Sequence, residues 1–127
     1  MKGSKQEYVG FINAYNAKNI ASIEDTLLYK SDEIEDLLSD IQDKNRDDQD
    51  LSKAVDRIKT ALKKIDDSVS KFFTSGELVM SSLDLLKAKD TVKTKQIVLN
   101  YGQVAKLTND KKLKEQAVQL GSQFLGE

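Results

Sequence analysis

The chain lacks several of the residue types on which most protein chemistry depends. Its 127 residues include no cysteine, no histidine, no proline and no tryptophan. Without cysteine and histidine there is no disulfide framework, no thiolate nucleophile, no imidazole base and no Cys/His zinc shell. The absence of proline, together with only six glycines, disfavours an all-β fold. These absences predict an all-α protein and make an enzyme the poorest functional hypothesis.

Long apolar segments are also missing. No apolar run approaches the roughly 18–20 residues that span a bilayer, and no apolar segment of the signal-peptide kind follows Met1. The chain as given therefore predicts no membrane span and no signal peptide. A signal or lipid-anchor segment that had been removed would leave no trace, so the compartment stays open. We expect a single domain over residues 1–127, with residues 1–4 outside the folded bundle.

What the chain does contain is apolar residues at helical spacing. In its middle they alternate at intervals of four and three, at Leu51, Val55, Ile58, Leu62, Ile65, Val69 and Phe72. This spacing places them on one stripe, so we predict one long heptad-patterned helix near 51–73. Tyr8, Phe11 and Tyr15 also share helical spacing and are predicted to be core residues. The whole pattern predicts an all-α, antiparallel bundle of four to six helices.

The helices of the N-terminal half are predicted from capping residues and from a change of apolar phase. Ser4–Glu7 has the form of a capping box, which marks a helix start. The apolar face then changes direction, which predicts a break within Asn16–Asn19, with one bent helix over 5–44 as the alternative. An acidic loop follows, in which Asp48 or Asp50 caps the next helix.

The C-terminal half carries similar signals. At Thr74–Glu77 a glycine and a second capping box predict one helix stop and a new helix start. Asp90 as an N-cap divides 77–107 into two helices, with one long helix as the alternative. Thr108–Asp110 is predicted to be a turn, followed by a last helix that ends near Gly126.

The net charge of −1 hides a strong asymmetry along the chain. Residues 24–50 carry eleven acidic and three basic side chains, a net charge of −8. Residues 51–127 carry fourteen basic and nine acidic side chains, a net charge of +5. We favour packing of these oppositely charged segments against each other, and the alternative is a polarised surface for a charged partner.

The sharpest local feature is a run of aspartates on one helix face. On a helix over 20–44 five of them lie within a sector of about 80°, opposite the apolar face. They are Asp25, Asp32, Asp36, Asp40 and Asp43. We predict that these five residues bind a basic protein partner, and an ordinary solvated face is the alternative.

Metal, cofactor and nucleic-acid sites are not predicted. Asp43-x-Asn45-x-Asp47 reproduces the start of a calcium loop, but Ala54 stands where the bidentate glutamate belongs. The many lysines of the C-terminal half attract anions. The chain has only two arginines, however, and no aromatic residue interrupts the lysine run at 87–95, so no nucleic-acid reader is indicated.

These patterns favour a non-enzymatic protein-interaction module that uses its charged helix faces. One alternative is a self-associating structural protein, a homo-oligomer in which the stripe over 51–72 pairs between chains. A second alternative is an exported or lipid-anchored bacterial surface domain with an immunity or inhibitor role. The chain as a whole has the general character of small bacterial helical-bundle domains. Its eighteen lysines against two arginines are typical of a protein encoded by an A+T-rich genome.

Overall fold

A computed structural model describes residues 2–13, 23–63 and 68–126, and within these ranges the chain forms helices and no strand. The six helices are α1 (Lys2–Asn13), α2 (Ile23–Lys44), α3 (Gln49–Leu62), α4 (Ser68–Lys89), α5 (Thr91–Thr108) and α6 (Lys111–Leu125). The predicted all-α bundle of four to six helices is therefore confirmed.

The helices form two layers of three. One layer holds α1, α5 and α2 side by side, and the other holds α6, α4 and α3. α5 is the central helix of its layer, because it contacts α1 and α2 beside it and α4 and α6 in the other layer. α2 and α5 run antiparallel, since Glu33 of α2 bonds Asn100 of α5 while Asp40 lies beside Lys93.

Aspartates begin three of the helices. Asp48, Asp90 and Asp110 accept hydrogen bonds from the backbone amides three residues further on, at 3.0, 3.0 and 2.9 Å. Each side chain satisfies an amide that has no partner within its own helix. Asp48 is thus the cap of α3, and Asp90 separates α4 from α5, which confirms two helices over 77–107.

The turn between α5 and α6 is confirmed as well. Asn109 adopts a left-handed φ of 53°, and its amide donates to the carbonyl of Ala105 at 3.1 Å. Asparagine tolerates this conformation better than most residues, so it ends the helix without glycine. α6 then runs from Lys111 to Leu125, and Gly126 follows its last turn.

The predicted single helix over 51–73 is wrong, because α3 ends at Leu62 and Lys63 is its C-cap. Ile65 lies outside the described residues. The remaining stripe is nevertheless core: at most 1 % of the surface is exposed at Leu51, Val55, Ile58, Leu62 and Phe72. α3 and α4 pack on each other, so both halves of the stripe face one interior. A three–four repeat does not distinguish one helix from two that pack in the same phase.

The predicted helix stop at Thr74–Glu77 is also wrong, since α4 runs straight through it. Gly76 lies where α6 packs on α4, and a Cβ there would collide with the side-chain amide of Gln116. That amide donates through Nε2 to the carbonyl of Phe73 at 2.7 Å. Gly76 is therefore a close-packing residue inside a helix and not a helix terminator.

Near the N-terminus the predicted capping box is wrong, because α1 begins at Lys2 and Ser4 is already helical. A capping box needs a non-helical backbone at its first residue. The predicted break within Asn16–Asn19 and the predicted core residue Tyr15 lie outside the described residues.

Tyr8 and Ile12 are the buried apolar residues of α1. The Tyr8 ring lies in a slot lined by Gly102 of α5 and Gly121 of α6, where any Cβ would crowd it. Its hydroxyl donates to the carbonyl of Val98 at 2.9 Å, and burial raises the pKa of that hydroxyl. Tyr8 is thus a core residue as predicted, but Phe11 is 40 % exposed and is not.

Candidate functional site

The five predicted partner-binding aspartates all lie on the exposed side of α2. The exposed carboxylates are those of Asp25, Asp32, Asp36, Asp40 and Asp43. The opposite side of α2 is at most 2 % exposed at Leu27, Ile34, Leu38 and Ile41. Because the fold buries one side of this helix, it displays the five carboxylates together on the other. We call these five residues the acidic stripe.

Two members of the acidic stripe have a counter-charge within the described residues. Asp40 Oδ2 lies 3.7 Å from Lys93 Nζ of α5, and Asp43 Oδ1 lies 3.9 Å from Arg46 Nη2. Both pairs are exposed to water, so each contributes at most about 1 kcal/mol to stability. The other three aspartates form no salt bridge within the described part of the chain.

The oppositely charged segments do pack on each other, as the charge distribution predicted. Glu33 of α2 accepts a hydrogen bond from Asn100 Nδ2 of α5 at 2.8 Å. Asp48 Oδ2, in the loop before α3, lies 3.1 Å from Lys89 Nζ at the end of α4. The backbone amide of Leu51, with help from that ammonium, holds the pKa of Asp48 below its usual range. Part of the acidic segment is therefore structural.

The loop after α2 does not gather its oxygens into a metal site. Asn45 Nδ2 donates to the carbonyl of Ile41 at 2.8 Å, and Asp48 caps α3. Within the described residues no three acidic side chains are grouped so that they would hold a metal ion. Among the described helices, none combines the length and the apolar character that crossing a bilayer requires.

A second exposed surface lies on the outward side of α5. Within the described residues α1 and α2 both contact α5 but do not contact each other, so no described helix covers the outer side of α5 between them. Val92 and Leu99, seven residues apart, lie on this side. Leu99 lines a shallow groove with Gln103 and with Phe11 of α1.

Large apolar side chains are concentrated on this surface. Four of the five that are exposed in the described chain belong to it: Phe11 and Leu99 at 40 %, Tyr29 at 64 % and Val92 at 68 %. Tyr29 of α2 also belongs to this surface. It lies four residues before Glu33 and eleven before Asp40, and both of these residues contact α5, so the three share one side of α2. We call the surface formed by Phe11, Tyr29, Val92 and Leu99 the α5 face. Exposed apolar clusters of this kind mark interaction sites.

The two edges of the α5 face carry opposite net charge. On the α1 edge Lys106 Nζ lies 4.1 Å from the centroid of the Phe11 ring, a cation–π contact, and Lys95 lines the same groove as Glu7. On the α2 edge the carboxylates of Glu33, Asp36 and Asp40 outnumber two lysines, Lys30 at 3.8 Å from Glu33 Oε1 and Lys93 at 3.7 Å from Asp40 Oδ2. The α1 edge is therefore net positive and the α2 edge net negative, and each edge holds charges of both signs.

Our sequence reasoning found the acidic stripe but missed the α5 face. A signal was present, because Val92 and Leu99 are out of phase with Ile97 and Tyr101, which face the core. Tyr29 likewise falls outside the apolar stripe of its own helix. Apolar residues on two sides of one helix indicate that more than the core needs them.

The chain was also compared with known proteins. No protein-family model, no curated protein and no solved structure matches it. The acidic stripe and the α5 face are therefore the features of this molecule that bear on its function.

Proposed function

We propose that this chain is a non-enzymatic protein-interaction module that binds a basic protein through the acidic stripe. The observation that carries the proposal is the exposure of all five aspartates on one side of the 22-residue helix α2. The opposite side of α2 is buried, so the stripe sits on a well-anchored helix and its carboxylates are displayed in a defined row.

The physics of the stripe favours a partner of opposite charge. Like charges four residues apart, such as Asp32 with Asp36 and Asp36 with Asp40, each oppose the helix by a few tenths of a kcal/mol. Basic groups of a partner would relieve this repulsion. Such complementarity accelerates encounter and fixes orientation more than it raises affinity, and salt weakens it.

The test is an affinity capture with matched charge variants as baits. The stripe variant neutralises the three aspartates that form no ion pair with any described residue, Asp25→Asn, Asp32→Asn and Asp36→Asn. The control variant removes the same charge from exposed carboxylates of other helices, Glu77→Gln, Asp84→Asn and Glu115→Gln. Soluble and membrane fractions of a native extract are passed separately over the wild type and both variants.

We expect a protein that the wild type and the control variant retain, that the stripe variant loses, and that elutes as salt is raised. Loss from both variants would assign the binding to net charge alone. Equal retention by all three baits would contradict the proposal.

Self-association through the stripe over 51–72 is less well supported. Leu51, Val55, Ile58 and Leu62 are buried within one chain, so they offer little surface for pairing between chains. The exported or lipid-anchored surface role stays a prediction, and the coding sequence upstream of the chain would test it.

A further inference from the structure

The α5 face leaves large apolar side chains exposed to water, and its charge pattern indicates which binding partner would cover them. Tyr29 and Val92 each leave more than half of their surface in water, at 64 % and 68 %. Covering such side chains is favourable, and most soluble oligomers are assemblies of copies of one chain. A surface with a net positive edge and a net negative edge meets the first requirement for binding itself.

Two symmetric arrangements are available to a pair of such faces. If the two-fold axis crosses α5, the helices run antiparallel and each edge meets the same edge of the other copy. Lysine then opposes lysine and aspartate opposes aspartate, which is repulsive. If the axis runs along α5, the helices run parallel and the α1 edge of each copy meets the α2 edge of the other. Edges of opposite net charge then meet on both sides.

We propose that the α5 face binds a second copy of this chain about a two-fold axis parallel to α5. Val92 and Leu99 of the two copies then meet across the axis, each residue beside its own equivalent. Lys95 of one copy faces Asp36 and Asp40 of the other, because Asp40 lies beside Lys93 at that level of the bundle. Phe11, with Lys106 over its ring, faces Tyr29.

This proposal does not rest on the acidic-stripe proposal, although Asp36 and Asp40 belong to both surfaces. On the helical projection of α2, Asp25, Asp32 and Asp43 lie further from α5 than Asp36 and Asp40 do. Its readout is also different, because it concerns the purified chain alone and no captured protein.

The chain contains no cysteine, which makes single-cysteine cross-linking a direct test. The variants are Val92→Cys and Leu99→Cys on the face, with Leu28→Cys as the control, because Leu28 is 57 % exposed but lies off the face. A disulfide forms readily only where two Cα atoms approach within about 7 Å. Each purified variant is oxidised with copper–phenanthroline and run on a non-reducing gel.

We expect both face variants to form a covalent dimer while the Leu28 variant stays monomeric. If the Leu99→Cys variant cross-links and the Val92→Cys variant does not, the proposed two-fold axis parallel to α5 is contradicted. In an antiparallel pair of α5 helices the two copies of position 92 lie far apart. Cross-linking of neither face variant, or equal cross-linking of the control, would overturn the dimer.

A charge-reversal cycle tests the edges of the same interface. Lys95→Glu alone and Asp36→Lys alone each place like charges opposite one another, and we expect each to weaken the dimer at least ~10-fold. The double variant in one chain restores opposite charges and should bring the dissociation constant back towards the wild-type value. Failure of the double variant to recover would overturn the proposed pairing of edges. Circular dichroism confirms that each variant is folded.

Discussion

The central helices of the two layers present different outer faces. α4 exposes small or polar residues, namely Ser70, Glu77, Ser81, Asp84, Ala88 and Lys89, whereas α5 exposes Val92 and Leu99 among its polar residues. Both bury their inner sides completely, as Val79 and Leu86 of α4 and Ile97 of α5 show. Core burial therefore does not require an apolar outer side. The outer apolar residues of α5 are therefore not explained by packing of the core.

We expect the largest change in the free energy of unfolding to distinguish the buried side of α5 from its outer side. Truncating the buried Ile97→Ala removes core contacts and leaves a cavity, so the free energy of unfolding should fall by about 2–5 kcal/mol. Truncating Leu99→Ala, two residues away on the outer side, should change it by less than about 1 kcal/mol. Urea denaturation of dilute protein measures both. A similar loss of stability for the two variants would place Leu99 in the core and would contradict its assignment to the outer side of α5.

A second effect concerns the α1 edge of the α5 face. Gly121→Ala places a Cβ against the Tyr8 ring, and we expect a destabilisation of about 1–3 kcal/mol as α1 is displaced. Gly10→Ala is the matched control, because a Cβ there meets nothing within 4 Å.

In α1 the control substitution should stabilise by about 0.5–1 kcal/mol through helix propensity alone. Thermal unfolding monitored by circular dichroism distinguishes the expected loss of stability in Gly121→Ala from the expected gain in Gly10→Ala. Stabilisation by both alanines would show that Tyr8 does not fill the glycine slot.

A smaller effect lies at the corner that joins α4 to α5. Asp90→Ala removes the side chain that caps α5, so stability should fall by about 1 kcal/mol. The control Asp84→Ala removes an exposed carboxylate from the outer side of α4 and should change stability by less than about 0.5 kcal/mol. Equal losses would mean that charge and not capping matters at this corner.

The smallest effect is a pH dependence that involves Asp48. The pKa of Asp48 is lowered in the folded protein, so its ionised form favours folding above the ordinary carboxyl pKa of about 4. That contribution disappears as the pH falls through the lowered value. Asp48→Asn keeps a capping oxygen without the charge.

The melting temperature of the wild type should therefore drop more between neutral pH and about pH 3 than that of Asp48→Asn. The comparison is made by circular dichroism at both pH values, with Asp84→Asn as a control that should follow the wild type. A parallel drop for Asp48→Asn and the wild type would contradict this role for Asp48.

Features that depend on local chemistry were predictable from the sequence. Asp48, Asp90 and Asp110 cap helices because a short acceptor before a helical segment satisfies its first amides whatever the surroundings. The stripe of α3 and the acidic stripe of α2 were readable because each of these helices has one buried side.

Features that depend on neighbours were not predictable. The end of α3 at Leu62 is not visible in the sequence, because the three–four repeat of apolar residues continues past it without a break. The glycine at position 76 inside α4 is explained only by the close approach of the Gln116 side chain from α6. The α5 face exists because α1 and α2 flank α5 without touching each other within the described residues. No spacing within one segment carries that information.

Sedimentation equilibrium of the purified wild type and of Leu99→Asp over a wide range of concentration tests whether the α5 face binds a second copy of the chain. We expect the wild-type mass to rise from one chain towards two, while the variant keeps the mass of one chain and an unchanged melting temperature. A wild type that stays at one chain throughout would contradict it. So would a Leu99→Asp variant that associates as the wild type does.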